Sequence, residues 1–311
     1  MAYDGSIKID SKIDTKGVES GLKTIGSLAV KGMAAATAAV GGLSAAAIKV
    51  GSDFESAMSQ VAATMGTAVD QIPELTAIAK EKGATTQFSA TQAAEALNYM
   101  ALAGYDSEKS IAALPKVLDL AAAGGMELAY ASDLVTDGMS VLGLTTNELD
   151  GYVDKMAKTA QKSNTSVAQL GEATLVAGGQ AKLAQMNVTD MNTALGILAD
   201  NGMKGSEGGT ALRNALKNLY TPTTQAKEAL DNLGISTQNT DGTLRTAQSV
   251  LQDLGGALDG LSEGNRITAM SQIFDTRTIA AGNALIENSG ERWNGLAAQI
   301  DNANGQAAAM A

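Results

Sequence analysis

The sequence predicts an all-α protein: a compact multi-helix domain of short antiparallel helices with one small β-hairpin, preceded by a long glycine-broken helical arm. Three observations predict it. Apolar residues recur at helical spacing along most of the 311 residues, as in helices that bury one face. Helix start signals of the Ser/Thr-x-x-Glu/Gln kind alternate with glycine stops. The composition is 45% hydrophobic but only 3% aromatic, so the core is built from Ala, the best helix former, with Leu, Ile, Val and 13 Met.

The elements follow in order. Residues 5–10 (GSIKID) alternate as a short strand would. Val18, Leu22, Ile25 and Ala29 then keep helical spacing, as do Phe54, Met58, Val61 and Met65, with glycines 26, 32, 41, 42 and 51 interrupting. Pro73 opens a helix that Gly83 closes. Ser89 with Gln92 is a capping box for a helix through Leu97 and Met100, stopped by Gly104. The next stripe, Ile111 to Ala121, is kinked or restarted by Pro115. Leu128 to Leu142 ends at Gly143, and Thr145 with Glu148 caps the helix through Tyr152 and Met156. A helical stretch spans 166–185, and Thr189 caps one through Leu195 that ends at Gly202.

The stretch 204–210 (KGSEGGT) reads as a tight loop feeding a helix through Leu212, Leu216 and Leu219, which Pro222 breaks. Another helix ends at Leu233-Gly234. Ile235–Thr246 alternates around Asp241-Gly242, the signature of a β-hairpin. Stripes through Leu254, Met270 and Leu285 follow, and Trp293, Leu296 and Ile300 lead into an Ala-rich end without a stop. Three regions result: 1–51 as strand and Ala/Gly-rich arm, 52–290 as the helical core, and 291–311 as the start of a truncated helix.

Composition removes whole classes of chemistry. There is no Cys and no His, hence no thiolate nucleophile, no Ser-His-Asp triad and no zinc-thiolate site. The charge of −11 opposes an electrostatic nucleic-acid surface. The glycine-rich stretch at 202–210 has neither the dinucleotide nor the P-loop spacing, and Glu207 would repel a phosphate. It reads instead as a connection in which Thr210 or Ser206 caps the following helix, with Arg213 a structural hydrogen-bonding or ion-pairing group. The carboxylate pairs Asp106/Glu108 and Asp133/Asp137 could in principle run glycoside hydrolysis, but they occupy capping and solvent-facing helix positions. Catalytic, cofactor-binding and metal-binding sets are therefore all expected to be absent. Residues Gly32–Ile48, with Val40, Gly41 and Gly42 at the centre, carry no charge. They form a packed or self-associating helix or, alternatively, a membrane-active segment.

The ordered motifs Phe54-Glu55-x-x-Met58, Phe88-Ser89-Ala90, Met100-Ala101-x-Ala103-Gly104, Leu114-Pro115, Gly202-x-x-Gly205-Ser206-x-Gly208-Gly209-Thr210-x-Leu212-Arg213 and Leu219-x-x-Pro222 together resemble the N-terminal core of phage tail tape measure proteins of the TP901 type. The opening DGSIKIDSKIDTKG resembles the usual start of such proteins. The resemblance implies a non-enzymatic protein of the virion tail lumen, made in the host bacterial cytoplasm from a phage or prophage gene, that sets tail length and leaves ahead of DNA. Its implied partners are further copies of itself, the tail tube protein, tail assembly chaperones, distal tail proteins and, through 32–48, the host membrane. It also implies that the long helical ruler lies outside this chain, which is then a truncated or excised core. A membrane-active module of the ejection machinery and a peptidoglycan hydrolase are the competing readings.

Overall fold

The computed structural model describes residues 49–311. The chain divides into two units, Met1–Glu55 and Ser56–Ala311. The 5–10 strand, most of the glycine-broken arm and the segment Gly32–Ile48 lie outside the described residues. Fifteen helices are described: α1 (49–64), α2 (Pro73–Thr85), α3 (Ala90–Leu102), α4 (Ser107–Gly124), α5 (Leu128–Leu142), α6 (Leu149–Lys162), α7 (Val167–Leu183), α8 (Val188–Asp200), α9 (Gly205–Tyr220), α10 (Thr224–Asn232), α11 (Ala247–Asp259), α12 (Glu263–Ile273), α13 (Ile279–Glu287), α14 (Glu291–Asp301) and α15 (Gln306–Met310). The all-α expectation holds.

Local signals position most starts and stops. Ser89 and Gln92 form the reciprocal capping box of α3, and Ser166 with Gln169 does the same for α7. Asp106 accepts the Lys109 N–H at 2.8 Å to open α4. The expected Thr189 cap is corrected. Asn187 caps α8, its side-chain oxygen accepting the Asp190 N–H at 2.8 Å, because Asn is as good an N-cap as any residue and the Thr189 hydroxyl is used laterally. Pro115 neither breaks nor restarts α4, which runs through it. The lost backbone hydrogen bond is offset by the buried face of Leu114, Val117, Leu118, Leu120 and Ala121. Gly83 does not end α2, which continues to Thr85. A Cβ at Gly83 would lie 2.6 Å from the Cα of Ala90, so this glycine admits the first turn of α3.

The hairpin expected over Ile235–Thr246 is also corrected. Among the described residues this segment holds a single antiparallel bridge, Gln238 with Leu244, and no strand. Its polar groups are satisfied locally. Asp241 accepts the Thr243 N–H at 2.9 Å and its hydroxyl at 2.6 Å, and Ser236 accepts the Gln238 N–H at 3.1 Å. Such side-chain turns compete with a ladder, and a lone two-stranded ribbon is at best marginal.

The centre of the second unit is repetitive. The connections α3–α4, α5–α6 and α7–α8 share one form. The first helix ends in a residue at positive φ, namely Gly104, Gly143 or Gln185. An apolar residue follows whose N–H closes the helix end: Tyr105 on Met100, Leu144 on Met139, Met186 on Ala181. The start residue of the second helix comes next, Asp106, Thr145 or Asn187. The same closure recurs at α4–α5 and α8–α9, where Gly125 and Gly202 have positive φ and the N–H groups of Met126 and Met203 meet Ala121 and Leu198. Stacking places like against like. Gly171 of α7 meets Leu134 of α5 and Gly178 meets Val141, so these helices run parallel. Gly205 and Gly209 of α9 meet Glu172 and Ala173 of α7 in the same direction. A second row, α4–α6–α8, packs beneath. The next-nearest helices α5, α7 and α9 are thus parallel.

Gln185 occupies the left-handed position at φ 52° that Gly104 and Gly143 hold in the equivalent connections. A residue with a Cβ is strained there by about 1 kcal/mol. Gln185→Gly is expected to raise stability by roughly that amount, read as a higher urea midpoint with an unchanged m-value.

A third layer comes from the chain's last part. α13 packs on α8 and α9, α14 on α6 and α8, and α15 on α4 and α6. Residues 291–311 thus form two helices, with Gly305 at φ 72° between them, where the sequence suggested one running helix.

Candidate functional site

The sequence-predicted family positions sit at structural joints. Phe54 and Met58 are buried side chains of α1. Half-buried Phe88 and the cap Ser89 precede α3, and Gly104 follows it at φ 83°. Pro115 lies inside α4, and Pro222 in the turn between α9 and α10. Gly205, Gly208, Thr210 and Arg213 all lie on α9. These residues do not line one cavity: Gly104 borders a cleft with Thr64 and Gln71, whereas Phe88 borders another with Leu118 and Asp119.

The glycine-rich stretch is the tightest of these joints and differs from the expected loop. Gly205-Ser206-Glu207-Gly208-Gly209-Thr210 is the beginning of α9 itself, and no side chain caps it, the N-cap being Lys204. Neither Ser206 nor Thr210 fills that role. The glycines are there for space. A Cβ on Gly209 would stand 2.5 Å from the Ala173 carbonyl oxygen and 2.8 Å from its Cα, and one on Gly208 would stand 2.7 Å from the Met203 carbonyl oxygen. Their absence lets α9 lie backbone to backbone on α7. The Glu172 carboxylate faces Gly205 and accepts the Tyr130 hydroxyl at 3.1 Å, so the positive end of α9 already has an anionic neighbour. Arg213 is exposed and has no hydrogen-bond or ion-pair partner among the described residues, contrary to the structural pairing expected of it.

A second joint was invisible in the sequence. Trp293 of α14 is fully buried, and its indole N–H donates to Asp190 of α8 at 3.4 Å. Burial holds the Asp190 carboxyl above the usual carboxylate range. Arg292 pairs with Asp200 at 2.5 Å. Asp301, at the end of α14, accepts the Thr189 hydroxyl and the Lys155 ammonium, the latter at 3.1 Å. Asp154 of α6 accepts the N–H groups of Gly305 at 2.6 Å and Ala307 at 2.9 Å and so caps α15. The partners lie more than 90 residues apart in sequence, which local spacing cannot reveal.

The Thr189 hydroxyl first, and Lys155 after it, hold the Asp301 carboxyl below the usual range. A depressed carboxylate contributes stability above its unfolded pKa of about 3.9 and loses it as pH falls through the folded value. The stability difference between wild type and Asp301→Asn is therefore expected to narrow as pH is lowered from 7 to about 3. Melting curves across that range test this.

Asp106 is engaged in capping, and Asp133 and Asp137 face solvent on α5. Among the described residues no group of three carboxylates could hold a metal ion, and no helix is long and apolar enough to cross a membrane.

The described residues are helical, and those singled out are caps, stops and close backbone contacts, a class of structural positions rather than a shared cavity. The comparisons with known proteins say what the chain is similar to. The family of phage-related minor tail proteins matches residues 76–275, and the chain belongs to that family. It is 29% identical over 270 residues to the tape measure protein of Pneumococcus phage Dp-1, covering 87% of this chain and 24% of that protein. It is 27% identical over 265 residues to the probable tape measure protein of Escherichia phage P2, covering 84% of this chain and 32% of that protein. The chain thus spans about a quarter to a third of the length of these relatives. No solved structure matches it. The resemblance carried by the ordered motifs is borne out.

Proposed function

We propose that this chain is a structural, non-enzymatic part of a phage tail, the helical core of a tape measure protein. The observation that carries this reading is the likeness to two tape measure proteins across 84–87% of the chain. The architecture supports it, because the described helices stack side by side and the singled-out residues serve packing. On this reading residues 1–51 are an arm, 52–290 the core, and α14 and α15 its closing layer. The family-motif positions, Phe54 to Pro222, hold the core's helix ends and close contacts. The location is the tail lumen, following assembly in the host cytoplasm. The partners are further copies, the tube protein, tail assembly chaperones and distal tail proteins.

The test is an in-frame deletion of residues 56–311 from the parent phage gene, scored by electron microscopy of lysates. Heads without normal tails, restored by supplying the intact gene in trans, are the expected result. Tails of normal length and number would overturn the reading.

A further inference from the structure

A groove of about 600 Å³ lies where α11, α12 and α13 meet. Its floor is apolar: Leu258 and Leu261 from the end of α11 onward, Ile267 and Met270 of α12, and Ile279 of α13. Ile267 is 59% exposed there, although a side chain of that size gains by burial. α12 buries only Met270 and Ile273 of its eleven residues, and so keeps an open side.

The rim has a definite sign. Asp259, Glu263 and Glu287 line it, against one cation, Arg266. Arg266 reaches Asp259 at 3.5 Å and Glu287 at 3.7 Å. These pairs are long and partly solvated, so they exchange readily for others. Even with Arg266 counted, the lining carries two carboxylates in excess. A second copy of this chain fits poorly, because each copy carries 33 acidic against 22 basic residues and like charges repel.

We propose that this groove is a docking site for a helix of a separate polypeptide, one that presents an apolar ridge bordered by Lys or Arg. The ridge covers Ile267 and Met270, and the flanking cations meet Asp259, Glu263 and Glu287. This is the helix-in-groove mode of recognition. It goes beyond the tail-component reading, because it concerns one surface and one kind of partner.

The test uses the full chain and two synthetic helical peptides of about four turns with the same leucine ridge. One is flanked by Lys and the other by Glu. Binding is read by fluorescence anisotropy at low and physiological salt. The Lys peptide is expected to bind saturably, at least tenfold more weakly to Ile267→Asp and to the double variant Asp259→Lys/Glu263→Lys. The Glu peptide is expected to bind only the double variant. Asp137→Lys, on the solvent side of α5, is the control for general charge and is expected to leave binding unchanged. Circular dichroism confirms that each variant is folded. Absence of saturable binding overturns the proposal, as does equal weakening by Asp137→Lys. Concentration-dependent self-association that Ile267→Asp abolishes would assign the groove to a second copy and equally overturn it.

Discussion

Gly209→Ala is expected to destabilise the protein by about 2 kcal/mol, within the range for overpacking a close contact, and Gly209→Leu to prevent normal folding. Helix propensity alone predicts the opposite sign, since Ala in a helix is better than Gly by about 1 kcal/mol. The structure decides between them. The new methyl would stand 2.5 Å from the Ala173 carbonyl oxygen, and backbone cannot swing away as a side-chain tip can. Either α9 separates from α7, opening the most extensive helix contact among the described residues, or both helices bend. Gly151 provides the control. It is helical, and a Cβ there would meet nothing within 4 Å, so Gly151→Ala is expected to stabilise by about 0.5–1 kcal/mol. Urea denaturation of the two variants, side by side, tests the sign of each. Stabilisation by both would show that α7 and α9 do not touch as described.

Trp293→Ala is expected to cost about 3–5 kcal/mol, the usual range for emptying a large aromatic site. Against a typical total of about 5–15 kcal/mol, that leaves a protein near its unfolding threshold at 37 °C. Two effects add. The cavity opens where α14 meets α6 and α8, and Asp190 loses the indole donor that helps satisfy its buried carboxyl. Trp293→Phe separates them in part, since it keeps the larger share of the volume and removes the hydrogen bond. It is expected to cost about 1.5–3 kcal/mol, as for a bond to a charged acceptor. The check is the urea midpoint of each variant, with hydrogen exchange on α14. If Trp293→Ala costs less than Trp293→Phe, the indole does not anchor the third layer.

What the sequence made legible was local. The capping box at Ser89, the Asp106 cap and the glycine stops at 104 and 143 involve residues three or four apart, and their chemistry is the same in any fold. The all-helical class followed from them. Errors came where one residue type serves two physical ends. Gly208 and Gly209 looked like loop residues because glycine is flexible, yet they sit within a helix because glycine is small. Asp241-Gly242 looked like a hairpin turn, and it does turn the chain, but no flanking strands form around it. The shared form of the connections α3–α4, α5–α6 and α7–α8 escaped notice because the equivalents share conformation more than identity. Gly, Gly and Gln occupy the positive-φ position, and Asp, Thr and Asn start the second helix. Nothing local could have brought Trp293 to Asp190 or Asp154 to Gly305, whose separations are 103 and 151 residues.

That last separation bears on how the protein is made. The α4–α6 face leaves the ribosome well before α15, which covers it, has been translated. At about 5–20 residues per second, the face waits on the order of ten to thirty seconds for its cover. Throughout that interval a nascent chain offers apolar surface and the uncapped Asp154 carboxylate to whatever is nearby, so the order of synthesis itself opens a timed window for a folding helper to engage.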